Sequence, residues 1–335
     1  MTTDDRTHPD GAALPDGTDL LDPSLAPLLD LVPDLDLATA DLPQARADFL
    51  ELIRSLMPPS DRVEVTEHTV PDDRVPGSRA TVRVHRAVGA EGTLPALVNI
   101  HGGGYIIGSN VMDDGLFAHW SPRLGVVGIS VEYRLAPEHP YPAPLDDCYA
   151  ALLWAHDHAE ELGIDPARIG IGGGSAGGGL AAGLAIRARD AGEVPVAFQL
   201  LECPMIDDRQ QSPSSRLDGL KVWNREANTF GWRSYLGDLY GTDDVPGAAA
   251  AAREADLRGL PPAYVAVGAA DGFRDEDVEY ALRLNQAGVP TELHVYPGVP
   301  HGVGMFIGTP WAERWQRDVD DWLERVLRPE GVGRD

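Results

Sequence analysis

The spacing of apolar residues changes near residue 60, and it predicts a different structure on either side. Between residues 42 and 56 apolar side chains recur every three to four positions, as in an amphipathic helix, with Asp41 placed to cap it and Pro58 to end it. Beyond this point apolar residues recur at every second position. Valines alternate with polar residues at 63–65 and 82–84, which predicts half-buried antiparallel strands.

Further along, short and continuously apolar runs alternate with helical patterns. The runs predict strands buried on both faces, at 96–100, 126–131, 168–173, 196–202, 263–269 and 292–296. Helices are predicted between or after them, at 150–162, 176–189, 276–287 and, with an amphipathic pattern, 311–326. This alternation predicts an α/β fold, with a mostly parallel central sheet and helices on both faces.

Two segments do not follow this alternation. Residues 1–20 are rich in Asp, Thr, Gly and Pro, which predicts a disordered N-terminus. Residues 205–247 are polar but contain several aromatic side chains, which predicts an insertion with short helices of its own. The rest of the chain, 58–204 and 248–330, is expected to form the α/β domain.

The composition narrows the expected partners and compartment. A formal net charge of -26 repels phosphate groups, so nucleic acids and anionic membranes are not expected partners. The N-terminus has no apolar stretch like that of a signal peptide, and no run approaches the roughly 18 apolar residues of a membrane helix. A cytoplasmic location is therefore expected. The two cysteines, Cys148 and Cys203, are expected to be free, buried thiols rather than a disulfide framework.

The pentapeptide Gly-Gly-Ser-Ala-Gly, from Gly173 to Gly177, is the first candidate for chemistry. It stands between a predicted strand and a predicted helix, the context in which G-x-S-x-G places a nucleophilic serine, here Ser175, at a sharp turn. Residues 172–177 also fit the dinucleotide pattern G-x-G-x-x-G. That alternative needs an acidic residue at the end of the next strand, about 20 residues on, and Glu202 fits poorly. The sequence therefore favours Ser175 as a nucleophile.

Three glycines after the strand at 96–100 form a second candidate site. In the segment HGGG (101–104), backbone N–H groups lie at the carboxyl end of a buried strand with no side chain to shield them. A tetrahedral intermediate needs two or three such donors for its oxyanion. We expect the N–H groups of Gly103, Gly104 and Ala176 to supply them.

A serine needs a general base, and chain order selects one among ten histidines. In hydrolases with this serine motif the order is serine, acid, histidine, and only His294 and His301 are late enough. His294 lies within a predicted strand, whereas His301 follows the last strand in a loop, so His301 is the predicted base. Asp271 directly follows the strand at 263–269 and is the predicted acid. Asp275 and Glu276 fall at the start of the next helix, where a helix N-terminal charge is a sufficient role for them.

Five segments make the resemblance to a known family specific. HGGGY, YRLAPEHPYPAPLDD, GGSAGG, DGFRDE and HGV resemble, in order and spacing from about residue 60 to 327, the bacterial hormone-sensitive-lipase family (family IV) of α/β-hydrolase carboxylesterases. Members are esterases that act mainly on short acyl chains, without metal or cofactor. Their cap is made from N-terminal helices and an insertion, which implies a cap at 21–57 and 205–247 here. Many members have Asp or Thr at the position of Gly174 and Asn at the position of Gly179. These two differences leave the substrate preference open.

The activity that we expect is hydrolysis of short-chain carboxylic esters through a Ser-His-Asp triad and an acyl-enzyme. The same residues would also serve an amidase, an acyltransferase or a specialised deacetylase; a non-catalytic small-molecule receptor is a remoter alternative, because the triad is intact. The expected partner is a small-molecule ester, and a homodimer is left open. No cofactor or metal is expected, since no histidine pair has ligand spacing on one helix face. Four aromatic residues are candidates either for the pocket wall or for the core of the cap: Trp223, Phe230, Trp232 and Tyr235.

Overall fold

An eight-stranded sheet runs through the computed structural model, which describes residues 16–30, 32, 37–56 and 60–328. In chain order the strands are β1 Val63–Thr69, β2 Thr81–Ala87, β3 Leu94–Ile100, β4 Val127–Glu132, β5 Ile164–Gly174, β6 Gln199–Glu202, β7 Ala263–Ala270 and β8 Thr291–Pro300. Their spatial order is β1-β2-β4-β3-β5-β6-β7-β8. The β1–β2 and β2–β4 pairs are antiparallel, and every pair from β4 onward to β8 is parallel.

The two hydrophobic periods in the sequence correspond to two parts of this sheet. The strands predicted from the period of two are β1 and β2, where Val82 is completely buried and Val65, on the edge strand, is 39% exposed. The continuously apolar runs form β3 to β8, which are covered on both faces except near the β8 edge. The predicted mostly parallel α/β sheet is confirmed.

Helices cover both faces of the sheet. They are α1 Ala26–Leu29, α2 Leu42–Leu56, α3 Asp114–Leu124, α4 Ala143–Asp157, α5 Ala159–Leu162, α6 Ala176–Ala191, α7 Arg225–Leu236, α8 Arg274–Gln286 and α9 Pro310–Val326. One apolar core packs α4, α6 and α8 against one face. A second core packs α3 and α9 against the opposite face. The carboxyl edge of the parallel strands is left between these layers.

Several elements differ from the prediction: β5 begins at Ile164 rather than at 168, and β8 ends at Pro300 rather than at 296. Helix α3 was not predicted, because Gly115 and Pro122 lower helix propensity within it and tertiary packing outweighs that preference. Strand β6 begins at Gln199 rather than at 196. The helix predicted over 150–162 begins earlier, and His158 divides it into α4 and α5.

The N-terminal segment contacts the α/β domain through Leu25 and Leu29, which are buried in the second core, and through Arg46. Residues 1–15 and Pro58 lie outside the described residues, and a short 3₁₀ helix at Gly17–Leu20 occupies the end of the segment predicted to be disordered. In α2, Arg46 donates hydrogen bonds to the carbonyl oxygens of Ile106 and Ala136, at 2.7 and 2.8 Å. In the part of the chain that the structure describes, no helix combines the length and apolar character needed to cross a membrane.

Candidate active site

Three predicted site residues follow strands that end at the same edge of the sheet. Ser175 comes directly after β5, Asp271 after β7 and His301 after β8. Because parallel strands share a carboxyl edge, the three side chains meet although up to 126 residues separate them. His301 Nδ1 lies 2.7 Å from Asp271 Oδ2, and His301 Nε2 lies 2.9 Å from Ser175 Oγ. The structure thus brings the three predicted residues into one chain of hydrogen bonds.

The hydrogen-bond partners of His301 fix the position of its proton. A carboxylate only accepts hydrogen bonds, so Nδ1 carries the proton and donates a hydrogen bond to Asp271. Nε2 is then free to accept from the hydroxyl of Ser175. Asp271 is itself fixed, because its Oδ1 accepts a hydrogen bond from the N–H of Phe273 at 3.0 Å. The Phe273 ring packs edge-on against the imidazole, with centroids 5.1 Å apart.

Burial and two neighbours act in opposite directions on the pKa of His301. Burial lowers this pKa because it disfavours the charged imidazolium. The Asp271 carboxylate and the Cys203 side chain raise it, and together they outweigh burial. The pKa of His301 therefore lies well above its usual value of 6.5.

The backbone at Ser175 forms the predicted sharp turn between β5 and α6. Its φ of 57° and ψ of -123° are unusual for a residue other than glycine. Two hydrogen bonds hold this conformation: Ser175 N–H donates to the carbonyl of Glu202 at 2.8 Å, and Ser175 C=O accepts from Met205 N–H at 2.9 Å. A Cβ at Gly177 would lie 1.9 Å from the carbonyl oxygen of Ile100, so a side chain is excluded there.

Gly174 differs from the other glycines of this motif. A Cβ at Gly174 would meet no atom closer than 3.8 Å, so a side chain would fit at this position, unlike at Gly173 and Gly177. Gly174 and Ser175 are both partly exposed. The residue before the nucleophile therefore faces the site and not the core.

The glycine-rich loop after β3 presents backbone N–H groups beside Ser175. Gly103 has a φ of 112°, and a Cβ there would lie 1.9 Å from the carbonyl oxygen of Ile107, so only glycine fits this turn. Among the described residues, the N–H groups of Gly103, Gly104 and Ala176 donate to no backbone acceptor. These three predicted donors remain free to bind an anion.

Buried aromatic residues hold this loop in place. Tyr105, the residue after the glycines, donates a hydrogen bond to the carbonyl of Met205 at 2.9 Å and stacks on Tyr235 with centroids 4.1 Å apart. Tyr133 donates to the carbonyl of His101 at 3.0 Å and stacks on its ring. The loop is therefore fixed, before any ligand binds, by packing from Tyr133, which follows β4, and from α7.

Of the four aromatic residues that were candidates either for the pocket wall or for the core of the cap, two lie in the core. Trp232 and Tyr235 are 0% and 1% exposed and pack with Tyr105 in the core, so they do not line an open pocket. Trp223 does line a recess and lies over Gly104. Phe230 is partly exposed, and its role in the pocket stays a prediction.

The side chains considered as alternatives for the acid, for the base and for ribose binding have other partners. Asp275 Oδ2 accepts from the N–H of Ser214 at 2.7 Å, and Oδ1 accepts from Arg274 at 2.8 Å. His294 lies in β8 and contacts the carboxylate of Glu292 at 2.8 Å, as expected for a structural residue. The Glu202 carboxylate, considered for ribose binding, accepts a hydrogen bond from the Trp315 indole. None of these three side chains takes part in the hydrogen-bond chain at Ser175.

The sequence did not predict a role for Cys203 at this site. It is a buried free thiol, as expected, but it directly follows β6 and its side chain interacts with the His301 imidazole. Its sulfur, a carboxylate oxygen of Asp271 and a ring nitrogen of His301 all lie within 4.8 Å of one another, a spacing that could hold a metal ion. Its position at a strand end next to β5 and β7 was the available signal.

Comparisons with known proteins agree with this fold. Residues 97–305 match the model of a family described as having the alpha/beta hydrolase fold. Carboxylesterase NlhH of Mycobacterium tuberculosis is 37% identical over 292 residues, which cover 85% of this chain and 89% of that protein. The structure of a bacterial heroin esterase superposes with a TM-score of 0.88 and 43% identity, covering 93% of this chain and 99% of that one.

A further solved structure extends the same similarity. Esterase LipW from Mycobacterium marinum matches with a TM-score of 0.78 and 33% identity, over 94% of this chain and 99% of that one. The family match, the identities and the coverage of both chains agree with one another. The chain therefore belongs to the α/β-hydrolase family, in its hormone-sensitive-lipase branch, and is a serine hydrolase.

Proposed function

We propose that the protein hydrolyses small carboxylic esters with short acyl chains. The observation that carries this proposal is the chain of hydrogen bonds from Asp271 through His301 to Ser175, at 2.7 and 2.9 Å, beside free backbone N–H groups. This arrangement suits nucleophilic attack on a carbonyl carbon, with the charge on its oxygen stabilised nearby. The relatives named as esterases support an ester as the substrate.

In the proposed mechanism, Ser175 Oγ attacks the ester carbonyl while His301 Nε2 takes the hydroxyl proton. The N–H groups of Gly103, Gly104 and Ala176 donate hydrogen bonds to the resulting oxyanion. His301 then protonates the leaving alcohol, which gives an acyl-enzyme on Ser175. Water, activated by His301, hydrolyses it and restores the enzyme. Asp271 keeps the imidazole in its tautomer and stabilises the imidazolium in both steps.

We also propose that residues 21–57 and 205–247 form a cap over this site. Trp223 lies over Gly104, and the buried side chains of α7 pack on Tyr105. On the other side, Arg46 binds the carbonyl oxygens of Ile106 and Ala136. Both segments therefore contact the glycine-rich loop, where they would limit the size of the substrate.

A recess lies between Trp223 of the proposed cap and Gly272, the residue after Asp271. Its empty volume is about 210 Å³, and its lining includes Trp223, Leu220, Asn228 and Phe273. A short acyl or alcohol group fits such a space better than a fatty-acid chain does. Cytoplasmic location, absence of a cofactor and the homodimer stay predictions from the sequence.

Chain-length dependence is expected to follow from this recess. kcat/KM should be highest for p-nitrophenyl acetate or butyrate and should fall steeply for octanoate and palmitate, because longer chains meet the Trp223 side of the cap. Trp223→Ala should shift the preference toward longer chains, whereas Tyr240→Ala, an aromatic residue packed on Arg233, should not. Faster turnover of emulsified long-chain triglycerides than of soluble short esters would contradict the proposal. p-Nitroacetanilide, assayed in parallel, separates an esterase from an amidase.

The pH dependence is expected to report on His301. This residue must be neutral to accept the proton of Ser175, and its pKa lies well above 6.5, so kcat/KM should rise with pH through a limb above that value. The measurement is kcat/KM for p-nitrophenyl acetate between about pH 5 and 9. His294→Gln is the matched control and should leave the limb in place. A profile that is already flat well below pH 6.5 would mean that another group is the base.

A further inference from the structure

Cys203 adds a third metal-binding side chain to the pair formed by Asp271 and His301. The residue follows β6, which lies between β5 and β7, and its φ of 39° turns the chain sharply at this point. Its sulfur lies within 4.8 Å of a carboxylate oxygen of Asp271 and of a ring nitrogen of His301, and all three side chains are buried. The proposed hydrolysis uses Asp271 and His301 but gives the thiol no role.

A second buried carboxyl group, that of Asp277, interacts with this cluster. Asp277, in the first turns of α8, is 0% exposed, and neither of its carboxylate oxygens has a hydrogen-bond partner among the described residues. Burial, Glu276, Asp271 and Cys203 all raise the pKa of Asp277 well above its usual range. An unpartnered buried carboxylate is costly, and a nearby cation would offset that cost. This observation is independent of the spacing at Cys203.

We propose that a thiophilic divalent cation, with Zn²⁺ as the best match, binds reversibly to Cys203, Asp271 and His301. Sulfur, imidazole nitrogen and carboxylate oxygen are the ligand types that zinc prefers. With bonds of about 2.0–2.3 Å in a tetrahedral site, the ligand atoms lie about 3.3–3.8 Å apart. Small side-chain movements would bring the observed spacing of up to 4.8 Å into that range. Water would fill the fourth position.

Binding of the cation at this position would block hydrolysis. The Cys203 thiol releases its proton to solvent as the sulfur–metal bond forms, and one nitrogen of His301 gives its lone pair to the cation. If that nitrogen is Nε2, it no longer accepts the proton of Ser175. If it is Nδ1, its proton moves to Nε2, so the hydrogen bond to Asp271 is lost and Nε2 has no lone pair left for the proton of Ser175. Either geometry removes the general base. The inhibition rests on the proposed function, whereas the binding of the cation does not.

The inhibition is tested by titrating Zn²⁺ into the hydrolysis of p-nitrophenyl acetate. Zn²⁺ should inhibit the wild-type protein, and EDTA should restore its full rate. Loss of a side chain that only orients a metal ligand weakens metal binding by about tenfold or more. Cys203→Ala removes a ligand itself, so it should raise the Zn²⁺ concentration that halves the rate by more than about tenfold. Cys148→Ala removes the other buried thiol, which lies in α4, and should leave it unchanged. Equal sensitivity of Cys203→Ala and wild type would overturn the proposal. Each variant is compared with its own metal-free rate.

A spectroscopic titration tests the binding without catalysis. Co²⁺ added to Ser175→Ala should produce a near-ultraviolet thiolate-to-cobalt charge-transfer band, which disappears in Ser175→Ala/Cys203→Ala and persists in Ser175→Ala/Cys148→Ala. Ser175→Ala/Cys203→Ser provides a second variant with little change in side-chain volume, and its band should also be lost. Absence of the band in Ser175→Ala refutes the site. A band in a protein whose wild type hydrolyses no ester would support the site and refute the proposed function alone.

Discussion

Ser175→Ala is expected to lower kcat for p-nitrophenyl acetate by about 10⁶-fold, the loss seen when a serine hydrolase of comparable triad loses its nucleophile. The variant keeps the oxyanion donors and the His301–Asp271 pair, so a small residual rate above that of water should remain. A fluorophosphonate probe should add one label to the wild-type protein, at Ser175, and none to the variant. Intact-mass spectrometry and initial rates measure both effects.

Ser55→Ala is the matched control for this experiment. The Ser55 hydroxyl, exposed in α2, donates a hydrogen bond to the carbonyl of Leu52 of its own helix, so this change should leave rate and labelling intact. Circular dichroism establishes that both variants are folded. Full labelling of Ser175→Ala would show that another residue is the nucleophile.

Asp271→Asn is expected to lower kcat by about 10⁴-fold, as the same change does in a comparable triad. An amide at this position no longer selects the tautomer in which His301 Nδ1 carries the proton, and it does not stabilise the imidazolium. Asp275→Asn provides a control four residues away. Because Asp275 binds Ser214 and Arg274 instead of His301, this variant should keep most of its rate.

The measurement is kcat of both aspartate variants, and circular dichroism checks that each variant is folded. Loss of hydrogen bonds to Asp275 should appear as a lower melting temperature and not as a lower rate. A collapse of kcat in Asp275→Asn, with Asp271→Asn still active, would reverse the assignment of the acid.

Residues whose position follows from the strand order could be predicted from the sequence. Ser175, Asp271 and His301 each follow a strand that a short apolar run marks, and parallel strands share one carboxyl edge. The sequence was thus sufficient to bring them together, although they are far apart in the chain. The same reasoning applied to β6 would have placed Cys203 at that edge.

Features that depend on packing between distant segments could not be predicted. The burial of Trp232 and Tyr235 is set by Tyr105, which precedes them by more than a hundred residues and carries no periodic signal. Helix α3 contains Gly115 and Pro122, and it forms because Phe117 and Trp120 are buried against the sheet. In both cases tertiary contacts outweigh local preference.

The turn at Ser175 also affects how stable the fold can be. A residue other than glycine in such a conformation costs about 1–3 kcal/mol, whereas a native protein is stable by only about 5–15 kcal/mol. The nucleophile therefore uses an appreciable part of the stability margin, and its hydrogen bonds to Glu202 and Met205 hold it against that strain. In a chain of this fold freed from selection for activity, glycine at position 175 would give the more stable protein, so stability and catalysis favour different residues there.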